Sequence, residues 1–252
     1  MDNWAYFWSV IKMRITKTKP YRCSYLKNEI AKVEIAQPPK ALSQEKFSRL
    51  IASGYRRSGN YTYRPICENC SKCLPIRIPT QTFSPNKTQK KIYKNLKSTL
   101  TAKISPLEYS DAAFLLFKNY QRVRHPETFE TLNSRDVFEN LLLRSCTDSK
   151  LIQYYDTANR LRLVSVIDFL TDGISSVYTF YDTENLKHSF GTYAILWQIE
   201  ECKRQSKDYL YLGYLIQECE RMTYKTNFKP HEIFLVDGWK KTDEYWFFLP
   251  NY

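Results

Sequence analysis

Glycine is scarce, with 6 in 252 residues. A Gly-rich pyrophosphate loop opening onto a helix is what an acyl-CoA-binding fold would need, and only Gly191 stands in such a place. That weighs against an ordinary acyl-CoA N-acetyltransferase. Long apolar runs are missing too, so no stretch spans a bilayer. The first 15 residues carry Asp2, Lys12 and Arg14 and lack a small-residue cleavage site, so they do not read as a secretion signal. Acidic residues are outnumbered, 26 against 38 Lys and Arg, for a net charge of +12. A field of that sign draws polyanions, a nucleic acid first and an anionic membrane surface second, although many Lys also simply solvate a surface. Internal repeats and low-complexity segments are absent. The cysteines number 7, an odd count with three in one run, which suits a reducing compartment and a metal or redox site better than a disulfide framework. A cytoplasmic protein is expected.

What is there is a globular composition, 43% hydrophobic, with 20 Tyr, 14 Phe and 5 Trp to build aromatic cores. The length suits one large domain or two small ones. Residues 1–20 read as a leader, with Trp4, Phe7 and Trp8 docking on the body. Ala41 to Ala52 reads as a helix with Leu42, Phe47, Leu50 and Ile51 on or near one face, closed by Gly54. Gly59-Asn60 marks a turn before a strand at Tyr61 to Arg64. The cysteine loop follows, then a strand at Leu74 to Ile78. Ser84-Pro85 opens a helix holding Lys87, Lys90, Lys91, Lys94 and Lys97. That face is solvated or tracks phosphates, and the two readings weigh equally. Residues 108–123 and 134–144 read as helices. Strands are predicted at Leu151 to Tyr155, Leu161 to Leu170 and Ile174 to Tyr181, with turns at Asn159 and Asp172-Gly173. A helix at Thr192 to Gln205, a strand at Tyr209 to Gly213, a short helix at 220–227 and a strand at Ile233 to Val236 complete an α/β pattern.

Three stretches carry chemistry. In Cys67-Glu68-Asn69-Cys70-Ser71-Lys72-Cys73 three thiols converge from one loop, and Cys23 offers a fourth. Four thiolates suit tetrahedral zinc, and the same spacing begins one type of iron–sulfur run. The sequence leaves both open. In Gly54-Tyr55-Arg56-Arg57-Ser58-Gly59, adjacent arginines on a strand point to opposite sides, so at most one serves a site. A guanidinium there would bind a carboxylate or phosphate bidentately. Tyr209-Leu210-Tyr211-Leu212-Gly213-Tyr214 reads as a buried strand reaching a turn, with Tyr224-Lys225 beyond.

Taken in order, several blocks resemble the arginyl/leucyl-tRNA–protein transferase family, over about residues 20 to 235. They are Cys23-Ser24-Tyr25-Leu26, the block around Arg56-Arg57, Tyr63-Arg64-Pro65 through the cysteines to Pro75-Ile76-Arg77, Tyr178-Thr179-Phe180-Tyr181, Gly191-Thr192-Tyr193-Ala194, and Tyr211-Leu212-Gly213-Tyr214 with Tyr224-Lys225. Cys-Ser-Tyr-Leu and the three-cysteine run resemble the bacterial leucyl branch rather than the longer arginyl one. One departure stands out: Arg124-His125 are followed by Pro126-Glu127 where the family shows Gly and Met. A structural role is the ordinary expectation for His125.

The resemblance implies an α/β fold of the α+β kind: a GNAT-like acyltransferase domain over 83–252, with a small N-terminal Cys-rich domain over 1–82. It implies attack by a protein's α-amine on the ester of Leu-tRNA, with acceptors beginning in Asp or Glu and so marked for N-degron (N-end rule) degradation. Arginyl transfer and a nonenzymatic zinc-ribbon RNA binder are the alternatives. The ester is already activated, so no ATP or CoA is expected. The residues expected at the chemistry are Asp168 for the amine and Tyr178 for the oxyanion or ribose. Arg56, Arg57, Arg77 and Lys225 are expected at the acidic side chain or the tRNA end, and the free N–H groups of Gly191 and Thr192 at an anion. Cys23, Cys67, Cys70 and Cys73 are expected to bind zinc or an iron–sulfur cluster. No membrane partner is expected.

Overall fold

The computed structural model describes residues 13–184 and 189–242. The docking expected of Trp4, Phe7 and Trp8 lies outside them. The N-terminal part opens with β1 (Arg14–Lys17), a hairpin of β2 (Tyr21–Arg22) and β3 (Ile30–Ala31), and β4 (Val33–Gln37). Helix α1 (Gln44–Ala52) starts where the Ser43 side chain accepts from the Lys46 amide, and it buries Phe47, Leu50 and Ile51. Gly54 then turns the chain at φ +85°, a left-handed value that a side chain would strain. Strands β5 (Arg56–Ser58) and β6 (Tyr61–Pro65) follow, and β1-β4-β6-β5 form one four-stranded sheet.

The next strand, β7 (Leu74–Pro79), falls within the expected N-terminal segment 1–82 but lies inside the second sheet. That sheet adds β8 (Leu100–Ser105), β9 (Ser149–Asp156), β10 (Leu161–Phe169), β11 (Gly173–Tyr181), β12 (Tyr209–Leu215), β13 (Glu232–Leu235) and β14 (Gly238–Lys241). Its order is β14-β13-β7-β12-β11-β10-β9-β8. The mixed α/β class read from the sequence is therefore observed, with β7 joining the two parts.

Helices cover both faces. On one, α2 (Lys87–Lys97) and α4 (Phe190–Arg204) pack Leu96, Phe190, Leu196 and Ile199 on Ile76, Ile152, Leu163 and Leu210. On the other, Phe117 of α3 (Asp111–Arg124) meets Val164, Val166, Val177 and Phe180. Burial of Leu163 to Asp168 on both faces is why β10 reads as a largely apolar run. Three expectations change in detail. Helix α2 is opened by Asn86, not Ser84, because Asn86 and Gln89 cap each other reciprocally, at 2.9 Å both ways. The run 134–144 is α-helical at Arg135–Phe138 and turns to a π-helical form at Glu139–Leu143. Part of the expected leader, Arg14–Lys17, is a strand paired with β4.

Candidate active site

Among the described residues β11 and β12 are the one parallel pair in the large sheet, registered only from Gly173↔Tyr209 to Ser175↔Tyr211. Beyond that point both strands continue without pairing each other. Each also bulges there. Val166 pairs with Tyr178 while Ile167 pairs with Ser176, so Val177 is an extra residue on β11. Tyr211 pairs with Arg77 and Tyr214 with Pro75, so β12 carries an extra residue around Leu212-Gly213. Bulges turn backbone groups out of the ladder, and here they flank one opening.

Arg56 fills that opening. Its Nη2 donates to the Val177 carbonyl at 2.8 Å. Its guanidinium lies so close to Gly213 that a Cβ there would overlap it, and Gly213 has φ +74°. Burial works to lower the Arg56 pKa, but the phenols of Tyr63, Tyr25, Tyr214 and Tyr224 outweigh it, and the net shift is upward. Lys225 sits beside it on the turn Tyr224–Asn227, only 5% exposed, with Nζ donating to the Tyr214 carbonyl. Burial first, and Arg56 second, bring its pKa down to about 7. Neither cation forms an ion pair among the described residues.

Tyr178 follows the bulge. Its hydroxyl donates to Gln121 Oε1 at 3.0 Å, and burial raises its pKa. Gln121 is 0% exposed and its Nε2 has no partner among the described residues. Gly191, in the first turn of α4, lies against Tyr181, whose ring meets Tyr120 at 5.0 Å. Among the described residues no side chain caps that helix and its first turn has no acidic residue, which favours an anion at the N–H groups of Gly191 and Thr192. The His125 ring lies tilted against Tyr120 with centroids 5.8 Å apart, and burial lowers its pKa, with Arg221 adding to the effect.

Contacts thus link Arg56 to Lys225 and to Val177, the residue before Tyr178, while Gly191 lies against Tyr181 on the same strand. The fold sends three expected residues elsewhere. Asp168, expected to meet the amine, has a side chain that is 0% exposed, as does Arg57. Arg57 Nε bridges both Asp168 oxygens at 2.9 and 3.0 Å, and Ser149 donates to Asp168 at 2.5 Å. Arg57 also donates to the Gly59 and Arg144 carbonyls. Arg77 is held by Glu232 at 2.7 Å and sandwiched against Tyr209 and Trp239, 3.5 and 4.3 Å from the ring centroids. Gln121 escaped the sequence reading. Its signal was its register, because Ala113, Phe117 and Gln121 share the buried stripe of α3.

Cys23, Cys67, Cys70 and Cys73 all line one cavity of about 390 Å³ between the hairpin and β6. Burial pushes Cys73 up to about 12, with Cys67, Cys23 and Cys70 adding to it. All seven cysteines are free thiols. Among the described residues, no three His, Cys, Asp or Glu side chains are arranged to hold a single metal ion. No described helix is long and apolar enough to cross a membrane.

Against known proteins, the profile for the N terminus of arginine-tRNA-protein transferase matches residues 21–91, and that for its C terminus matches residues 112–235. An aspartate/glutamate leucyltransferase of Polynucleobacter asymbioticus is 40% identical over 228 residues, 88% of this chain and 92% of that relative. Another, of Chromobacterium violaceum, is 37% identical over 227 residues, 90% of this chain and 93% of that relative. Among solved structures, L-PGS from Bacillus licheniformis overlaps 57% of this chain and 46% of its own, with a TM-score of 0.42 and 12% identity. FemX overlaps 83% and 81%, with a TM-score of 0.41 and 8% identity. The sequence matches define an aminoacyltransferase. The chain belongs to the arginine-tRNA–protein transferase family.

Proposed function

We propose that this protein transfers leucine from Leu-tRNA to the N-terminus of proteins beginning with Asp or Glu, which are thereby marked for N-degron degradation. Leu rather than Arg as the donor is supported by the names of the relatives. The observation that carries the acceptor is the pair Arg56–Lys225 beside the bulges of β11 and β12, which forms no ion pair among the described residues. An Asp or Glu side chain supplies the missing carboxylate.

In the reaction the acceptor's α-amine attacks the ester carbonyl. A C–N bond forms, the bond to the ribose oxygen breaks, and the amine's proton ends on that oxygen. The amine has an ordinary pKa of about 7.7–8.0, so a large part is already neutral near physiological pH. Positioning and oxyanion stabilisation are then the main tasks. Tyr178, whose own proton is on Gln121, offers the amine a lone pair. The orphaned Gln121 Nε2 is a donor for the oxyanion or ribose, and the α4 N-terminus at Gly191 and Thr192 receives the terminal phosphate. Asp168, Arg57 and Arg77 are positioning residues that hold β5, β10 and β12 in place.

The four thiols form an all-sulfur donor set around one cavity, which fits a metal group in kind. A lone tetrahedral zinc needs bonds of about 2.3 Å to four converged sulfurs. An iron–sulfur cluster takes the same all-sulfur set. Cys23, Cys67, Cys70 and Cys73 would hold it, shaping the wall formed by Tyr25, Tyr63 and Tyr214. Free thiols fit a reducing, cytoplasmic compartment.

The test pairs labelled Leu-tRNA or Arg-tRNA with peptides beginning with Asp, Glu, Arg or Lys. Leucine should go to the Asp and Glu peptides. Transfer of arginine alone would move the reading to the arginyl branch, and no transfer from any pair would leave only an RNA-binding protein.

A further inference from the structure

The chain holds no acidic residue between Glu68 and Glu108, and helix α2 lies in that stretch. Its exposed residues are Lys87, Thr88, Lys90, Lys91, Lys94, Asn95 and Lys97. At 3.6 residues per turn the five lysines fall within an arc of about 120°. Lys97 packs over the Tyr93 ring at 5.4 Å. Lys87, Lys90, Lys91 and Lys94 form no ion pair among the described residues. Like charges at i,i+3 and i,i+4 disfavour a helix by about 0.2–0.5 kcal/mol each. This helix forms regardless, through its capping box and its packing on α4, so the repulsion is tolerated rather than relieved.

The helix is also placed against the candidate active site. Gln89, one turn in, donates to the Asn227 carbonyl at 3.0 Å, which ties the start of α2 to the turn that carries Lys225. Tyr93 packs on Tyr193 at 5.7 Å, directly after Gly191 and Thr192. The basic stripe therefore lies on a helix tied to both of these segments, and it extends for about 15 Å. A membrane is the poorer partner, because the exposed face has no apolar residue to insert. A protein acceptor would be expected to meet aromatic anchors, and the face has none.

We propose that the Lys87–Lys90–Lys91–Lys94 face of α2 binds the phosphate backbone of the tRNA acceptor stem and so aims the aminoacyl end at Arg56 and Lys225. This rests on the proposed transfer for the identity of the RNA. Duplex RNA is held mainly through shape and backbone contacts, which point charges on lysines provide without reading sequence.

The test uses the full chain with Lys87, Lys90, Lys91 and Lys94 all changed to Gln, beside a version with all four changed to Arg. Gln has a helix propensity close to that of Lys, so thermal melting should coincide with wild type. For the Gln variant the KM for Leu-tRNA should rise at least tenfold, with kcat at saturation and the KM for an Asp-starting peptide unchanged. The log–log salt slope of tRNA binding should fall by roughly two to four, close to one per lost phosphate contact. The Arg version should behave as wild type. Leucyl-adenosine, a donor without a stem, should be used equally by wild type and the Gln variant. An unchanged tRNA KM and salt slope would overturn the proposal, as would a rise in the peptide KM instead. Absence of transfer by the wild type would refute the transferase reading alone, since the salt slope is measured on binding.

Discussion

Arg56 and Arg57 are neighbours on β5, yet they enter two opposite kinds of environment. Arg57 meets a carboxylate, two carbonyls and a seam that ties the small sheet to β10, with Nη2 unpaired among the described residues. Arg56 meets a bulged carbonyl, several phenols and a second cation, Lys225. One centre holds its own counter-charge and has nothing to offer a ligand. The other concentrates positive charge in a partly desolvated opening, where an arriving anion interacts more strongly than in water. The difference separates a charge that holds the fold from a charge available for work.

The seam gives the largest expected effect. Arg57→Ala or Asp168→Ala strands a buried charge and should lower unfolding stability by about 3–5 kcal/mol in urea titrations. If Asp168 instead serves the amine, Asp168→Asn will melt like wild type and lose transfer. A smaller effect should come from Gly213→Ala. Its φ of +74° costs a side chain about 1–2 kcal/mol, and the new Cβ must push the Arg56 guanidinium aside. Stability should drop modestly while the KM for an acidic peptide rises, and an unchanged KM would show that Arg56 is not part of the acceptor site.

The third effect depends on pH. The folded pKa of Lys225 is about 7, below its ordinary value of 10.5. Between those values the unfolded chain binds more protons, so this lysine's contribution to stability improves as pH rises. Lys225→Met removes the group. The variant's stability advantage over wild type should therefore be largest at or below pH 7 and fade toward pH 10.5. A difference that does not vary with pH would mean that Lys225 is not desolvated. In transfer assays the wild-type kcat/KM for an acidic peptide should fall as Lys225 loses its charge above about pH 7, and the variant should lack that fall.

The comparison also shows how far the sequence could be read. The opposed directions of Arg56 and Arg57 follow from strand geometry alone. Which of them faces a site does not, because the answer depends on Asp168, 111 residues away. The burial of Asp168 was partly legible, since it sits in the apolar run Val164 to Leu170, where a charge requires a partner. Strands β10 and β11 and helix α4 were read close to their observed limits because their apolar patterns are strong. Strand β1 was not, as all four of its residues are exposed and leave no pattern. The bulges at Val177 and Gly213 arise from pairing between distant strands, and a glycine within the strand was the sole local sign of them. The cysteine spacing brought four thiols to one cavity as expected, while the choice of group depends on separations that spacing does not set.

The central claim is that Arg56 reads the charge of the acceptor's first side chain. The most direct measurement is the ratio of kcat/KM for peptides beginning with Asp and with Asn, in wild type and in Arg56→Gln, with Leu-tRNA as donor. A hydrogen-bonded buried charge contributes about 1.5–3 kcal/mol, so the wild-type preference for Asp should shrink roughly ten- to a hundredfold in the variant. An Asp-to-Asn ratio left intact, with both rates lowered equally, would contradict the account and make Arg56 a support for β11 and β12 alone.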